Sequence, residues 1–331
     1  MNTVISVRSG ASLVQRMKPK SQIVPVLATL LLSQWMLFES PAFGQDTKVI
    51  VSLPDAGIPF FGFLLNQMEA EAHQIGGIAL IAVDGQRSAQ KQAADIESGI
   101  ALGVPAFIID AIDGNVMQSV IHEVTNAGGK VVLLERTIPQ AQGVLAQVSA
   151  DFVRGGELQA EGVLHDFPSG ARVINLELDQ RASEVDRSNG LQHILGPHQD
   201  RFELVNKAIS IELLQSPPID DGVLSGLGGK PIAIVCGSDL LAISVRHKLD
   251  QMGAGGTSAE VFGFEADRDG VAAVRSGQLA ATVELFFGKQ ARQALQIVTA
   301  AVRSGTVPHD PNIKVQPVLI TKSNVGEAEQ R

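Results

Sequence analysis

The sequence predicts an α/β protein built as two doubly wound parallel-sheet lobes, and three observations carry that prediction. Short, continuous apolar runs alternate with segments of helical spacing, the pattern of a parallel sheet covered on both faces. The alternation restarts after Ala150, so the second half has a similar build to the first. The length, 331 residues, suggests about two domains at roughly 150 residues each. Apolar residues make up 45 % of the chain and charged residues only 18 %, which supplies a core and argues against a disordered chain or a coiled coil.

In the first half, Lys48–Leu53 reads as a buried strand. Phe61, Leu64, Leu65, Met68 and Ala72 then fall at helical spacing over Phe61–Gln74. Strands follow at Ile78–Val83, Val104–Ile109 and Lys130–Leu134, separated by helices at Ser88–Leu102 and Gly114–Ala127. In the second half, helices are predicted over Arg154–Leu164, Glu184–Leu195, Asp239–Met252, Arg268–Ser276 and Gly288–Arg303. Strands are predicted over Ala171–Leu176, Phe202–Val205, Pro231–Cys236, Glu260–Phe264, Leu279–Glu284 and near Val315–Ile320. The segment 207–229 stays ambiguous, because Pro217, Pro218 and the glycines at 226, 228 and 229 interrupt any helix.

The first 44 residues read as an export signal. Arg16, Lys18 and Lys20 precede an apolar stretch, Ile23–Phe38, that is too short and broken for a good membrane span. Ala42-Phe43-Gly44 satisfies the small-x-small rule, with cleavage before Gln45. Met17 gives a leader of more ordinary length than Met1. The expected location is therefore the periplasm. A single cysteine, Cys236, excludes an intrachain disulfide framework and a cysteine-based zinc site, and it sits in an apolar run as a small buried hydrophobe. The net charge of −9, from 26 basic and 35 acidic residues, disfavours nucleic acid as a partner.

No motif for a catalytic centre is present: no GxGxxG after a strand, no phosphate loop, no HExxH and no G-x-S-x-G. Cys236-Gly237-Ser238-Asp239 is better explained as a strand-to-helix turn capped by Ser238 or Asp239 than as a nucleophile. No metal or cofactor is expected, and the chain is not expected to be an enzyme. Polar and aromatic residues instead gather where strands end. Pro59-Phe60-Phe61 follows the first strand, Asp110 and Asp113 the third, and Glu135-Arg136 the fourth. Ser238-Asp239 and Phe264-Glu265 hold similar places in the second half. A carboxylate accepts and a guanidinium donates, so such pairs suit ligand hydroxyls, while Phe rings can cover apolar sugar faces. Taken singly, Asp110, Asp113 and Asp239 could be helix caps, and Phe61 could be core. Repetition in both halves favours a ligand site.

At these residues the chain resembles the ribose-binding-protein type of periplasmic sugar-binding proteins, the type I solute-binding fold of bacterial ABC importers. The resemblance runs from about Lys48 to Val325. It is carried by Pro59-Phe60-Phe61, Leu134-Glu135-Arg136, Asp151 with Gly155-Gly156, Arg187 with Gly190-Leu191, Ser238-Asp239, Gly263-Phe264-Glu265 and Gly277–Thr282.

The resemblance implies two lobes joined by three hinge crossovers, near Ala150–Phe152, Leu285–Phe286 and Asn312–Lys314. The N-terminal lobe would comprise residues 45–150 and 286–312, the C-terminal lobe 151–285 and 313–325, with a tail over 326–331. It implies ligand contacts at Ile58, Phe60, Phe61, Asp110, Glu135, Arg136, Ala150, Phe152, Val185, Ser238, Phe264, Glu265 and Leu285. The family commonly has Asn where Ile58, Asp110 and Ser238 stand, Arg at Val185 and Gln at Leu285. The implied site is therefore richer in carboxylate and in apolar surface. Either the ligand brings donors or positive charge, or a carboxylate is protonated. The implied function is capture of a small polar ligand, a sugar or polyol, by a monomer that closes its lobes on it. Delivery would be to an inner-membrane ABC permease, or alternatively to a chemoreceptor or sensor kinase.

Overall fold

The computed structural model describes residues 46–178, 182–209, 231–252 and 259–330. The expected leader, its start at Met17 and its cleavage before Gln45 lie outside the described residues, as does most of the ambiguous segment 207–229.

The first half lays down β1 (Thr47–Leu53), α1 (Pro59–Ile75), β2 (Ile78–Asp84), α2 (Ala89–Ala101), β3 (Ala106–Ile109), α3 (Gly114–Asn126), β4 (Lys130–Leu134) and β5 (Ala146–Ala150). The second half gives α4 (Phe152–Asp166), β6 (Arg172–Leu178), α5 (Ala182–Leu195), β7 (Glu203–Ile209), β8 (Ile232–Cys236), α6 (Asp239–Gln251), β9 (Ala259–Phe262), α7 (Arg268–Ser276) and β10 (Ala281–Glu284). The chain ends with α8 (Phe287–Ser304), β11 (Asn312–Val315) and β12 (Val318–Thr321).

These strands form two six-stranded sheets with the same winding, ordered β11-β5-β4-β3-β1-β2 and β12-β10-β9-β8-β6-β7. All pairings are parallel except β10 with β12. Parallel strands buried on both faces need apolar residues at every position, and β1 shows why its run is unbroken. Val49, Val51 and Leu53 pack with Leu64 and Met68 of α1 and Leu295 and Val298 of α8. Ile50 faces the other way, with Ile96 of α2 and Met117 and Ile121 of α3. The second sheet repeats this, with Ile234 and Cys236 on one face and Ala233 and Val235 on the other. Cys236 is buried and free.

The chain passes between the sheets at Asp151, at Leu285–Phe286 and at Gln316–Pro317. The third passage lies beyond Asn312–Lys314, because those residues pair with β5 as part of β11. The single strand expected over Val315–Ile320 is two strands of different sheets. Pro317, between them, has no N–H to give a ladder. β5 is a strand the composition does not announce. Its sequence Ala-Gln-Val-Ser-Ala has two polar residues in five, yet every residue is buried.

Two glycines set the packing of the second lobe. A Cβ on Gly156 of α4 would collide with the Arg187 carbonyl, and one on Gly190 of α5 with the Val153 carbonyl. The two helices therefore touch backbone to backbone, which buries the Arg187 guanidinium completely. It donates to Gln159 Oε1 at 3.0 Å, Asn175 Oδ1 at 2.9 Å and Glu184 Oε2 at 3.1 Å.

Candidate ligand-binding cleft

Parallel α/β sheets gather ligands at the C-terminal ends of their strands, where loops and helix starts leave a crevice. A cleft of about 470 Å³ lies there in this protein. Its first wall comes from the ends of β3, β4, β5 and β11: Ala111 and Ile112, Glu135 to Ile138, Ser149 and Lys314. The opposing wall is Phe152 at the start of α4 and Ala182, Ser183 and Asp186 at the start of α5.

Glu135 and Arg136 stand at the centre of the first wall. Arg136 Nε lies 3.3 Å from Glu135 Oε2 and 3.5 Å from Asp110 Oδ1, and an Nη atom reaches the Ala111 carbonyl at 3.4 Å. Asp110 lies beneath the guanidinium, 1 % exposed, and neither of its oxygens receives a hydrogen bond. Burial pushes the Asp110 carboxyl well above its usual range, the Glu135 charge adds to this, and Arg136 opposes it. Against the lowering effect of its own burial, Arg136 is held above its ordinary value by the two carboxylates. Glu135 reaches its place through a left-handed backbone, φ 63°, unusual for a residue with a side chain.

The structure brings Glu135, Arg136 and Phe152 of the sequence-derived candidates to the cleft wall, with Asp110 just behind. The others lie elsewhere. Phe60 is half-buried, its ring edge-on to Phe61 at 5.1 Å and to Phe287 at 4.7 Å, while Phe61 is core. Phe264 is 2 % exposed, stacked on Phe152 at 6.3 Å between ring centres and against the Arg187 guanidinium at 5.8 Å. Leu285 and Ala150 are buried in the core cluster of the first sheet. Ser238 caps α6, its hydroxyl accepting from Leu241 N at 3.2 Å. Glu265 bridges β10 at Glu284. Val185, 48 % exposed, and Ile58 lie on the surface.

Neighbouring acids are structural. Asp113 accepts from the Asn115 and Val116 amides as the α3 cap. Asp239 is buried, taking the Thr282 hydroxyl at 2.6 Å and the Asp267 amide at 3.0 Å.

Sequence reasoning missed Ser149, Ser183, Asp186 and Lys314 as cleft residues. Ser149 and Lys314 are register partners on β5 and β11, and the Lys314 ammonium donates to Ser149 Oγ at 3.0 Å. The spacing of Ala182, Ser183 and Asp186 on one helical turn was the available signal for the opposing wall.

Residues 49–306 match a family model described as the periplasmic binding protein domain. The ribose import binding protein of Bacillus subtilis (strain 168) is 26 % identical over 276 residues, 81 % of this chain and 88 % of that protein. A putative rhizopine-binding protein of Rhizobium meliloti is 27 % identical over 279 residues, with the same two coverages, 81 % and 88 %. Among solved structures, the Caulobacter myo-inositol binding protein bound to myo-inositol superposes with a TM-score of 0.75 at 26 % identity, over 87 % of this chain and 97 % of that one. An ABC transporter solute binding protein from Bacillus halodurans C-125 gives 0.73 at 22 % identity over 86 % and 97 %, a likeness of fold. Because the family match spans the greater part of the sequence, the chain belongs to the periplasmic binding protein domain family.

Proposed function

We propose that this protein captures a small sugar or polyol between its two lobes and delivers it to an inner-membrane ABC importer. The observation that supports this most is the Glu135–Arg136 pair at the cleft wall. It presents an acceptor and a donor side by side, the arrangement that suits adjacent hydroxyls. Phe152 on the opposing wall offers an apolar face to a ring. Relatives named for ribose import and solved with myo-inositol point to the same ligand class. The ligand stabilises the closed form to the extent that it binds that form better. In this reading the lobes move about the three sheet-to-sheet passages, the leader is removed before Gln45, and the mature protein works as a periplasmic monomer.

A thermal-shift screen of the mature protein against sugars and polyols tests the ligand class. A true ligand at roughly 100 Kd stabilises by about 2.7 kcal/mol. The hit should weaken in Arg136→Ala and in Glu135→Gln, each by about 1–3 kcal/mol, because truncation strands a buried partner. Unchanged affinity in both variants would remove the binding site from this cleft. N-terminal sequencing of the periplasmic fraction should begin at Gln45.

A further inference from the structure

The charges of the cleft are not all paired within ion-pair distance. Glu135 and Arg136 answer one another, and Asp110 is held toward its neutral form by burial beneath them. Among the described residues the wall holds two further ionisable groups, Asp186 on α5 and Lys314 on β11. Among the described residues no carboxylate lies within ion-pair distance of Lys314, whose ammonium donates to the neutral hydroxyl of Ser149. Ser149 is itself buried at the end of β5, so the 3.0 Å bond ties the ammonium of the otherwise exposed Lys314 to the cleft wall. An open cleft leaves this ammonium solvated. Closure removes water from it, and a desolvated cation needs a counter-charge. Ser183 and Thr137 line the same space and offer further hydroxyl donors.

We propose that Lys314 is a specificity-determining residue and that the ligand is a sugar or polyol bearing a carboxylate, an aldonate or a uronate. This rests on the reading that the cleft takes a sugar or polyol, and it names the substituent. The carboxylate meets Lys314, with Ser149 fixing the ammonium. The hydroxyls meet the Glu135 carboxylate, the Arg136 guanidinium and Asp186. A neutral sugar brings no counter-charge to Lys314. An amino sugar sets a second cation against it.

The test is calorimetric titration of the mature protein with matched pairs: galactose and galacturonate, glucose and glucuronate, glucitol and gluconate, with glucosamine as the cationic member. The expected result is at least one pair in which the acid binds about tenfold or more tightly than its neutral partner, with the preference shrinking as salt rises. Lys314→Gln should collapse that ratio toward one, and Lys314→Arg should retain it. The ratio within one variant is independent of any general loss of folded protein. Neutral members or glucosamine binding better than the acids would overturn the proposal while leaving the sugar-binding reading standing. So would an acid preference that survives in Lys314→Gln. Preference for neutral ligands, abolished equally by Lys314→Gln and Asp186→Asn, would show that Asp186 supplies the counter-charge on closure, and would also overturn it. Binding of no member would sink the sugar-binding reading, and this proposal with it.

Discussion

Glu135 and Glu265 hold equivalent positions in the two sheets. Each lies just past its strand, β4 or β9, and each backbone N–H donates at 2.9 Å to the strand that follows, at the Val148 and Val283 carbonyls. Each has a positive φ, 63° and 97°. The similarity of the two sheets thus extends to a backbone conformation that a side chain makes costly, by about 1–3 kcal/mol. Glycine adopts it freely.

Glu135→Gly should therefore stabilise the ligand-free protein by about 1 kcal/mol while weakening ligand binding. Chemical denaturation followed by circular dichroism measures the first effect, and titration the second. A variant that loses stability without ligand would mean that the Glu135 side chain contributes more to the fold than its backbone costs.

Asp110 gives a pH prediction of definite sign. Its carboxyl is raised in the folded state, so the folded protein holds the proton longer than the unfolded chain. That contribution to stability is present at low pH and is lost as pH rises above the ordinary aspartate range. Asp110→Asn should flatten this decline and leave the ligand-free protein at least as stable as the parent above neutrality. A steeper decline in the variant would show that ionised Asp110 is needed to hold Arg136.

The contact of α4 with α5 makes Gly156 irreplaceable. An alanine Cβ there meets the Arg187 backbone carbonyl, which cannot move without shifting α5 and the buried guanidinium. Gly156→Ala should cost about 3 kcal/mol or more, at or above the usual range for overpacking. Gly62→Ala, where the added methyl meets nothing within 4 Å, is the matched control and should be close to neutral or stabilising. Equal melting temperatures for the two variants would refute the close-packing argument.

The fold was legible because parallel strands leave runs such as Val131–Leu134 with no polar position. β5 escaped for the opposite reason. Gln147 and Ser149 are polar, and only their hydrogen-bond partners outside the strand make them tolerable inside. The Ile138 amide donates to Gln147 Oε1 at 2.7 Å, and Lys314 donates to Ser149. The same blindness hid half of the cleft. Glu135 and Arg136 announce themselves at a strand end, whereas Ser149 and Lys314 lie 165 positions apart and meet only through β5–β11 pairing. Phe264 resisted separation from core, since a ring next to a strand end looks the same in sequence whether it faces ligand or, as here, Phe152 and Gly155.

The second passage between sheets carries a group that titrates near neutrality. Glu284 ends β10, and its carboxylate accepts from the Phe286 amide at 2.6 Å and from the Glu329 amide at 2.8 Å. Glu329 in turn caps α8 at the Gly288 amide and pairs with Arg292 at 2.9 Å. Burial, against the pull of these amides, and the nearby Glu329 charge raise Glu284 from 4.5 to about 7. For an acid raised in the folded state, the stabilisation is complete below the unfolded value and is lost as pH climbs through the folded one. The loss should fall between about pH 4.5 and 7 and reach at most roughly 3 kcal/mol. Glu284→Gln cannot ionise and keeps one acceptor oxygen for the two amides. Its stability relative to the parent should therefore improve from about pH 4.5 to about pH 7 and then level off, whatever fixed cost the lost acceptor imposes. Guanidinium unfolding curves at stepped pH, read by circular dichroism because the sequence has no Tyr and its one Trp is Trp35, before β1, give that difference directly. A difference between variant and parent that does not change with pH would place the neutral-range titration somewhere other than Glu284.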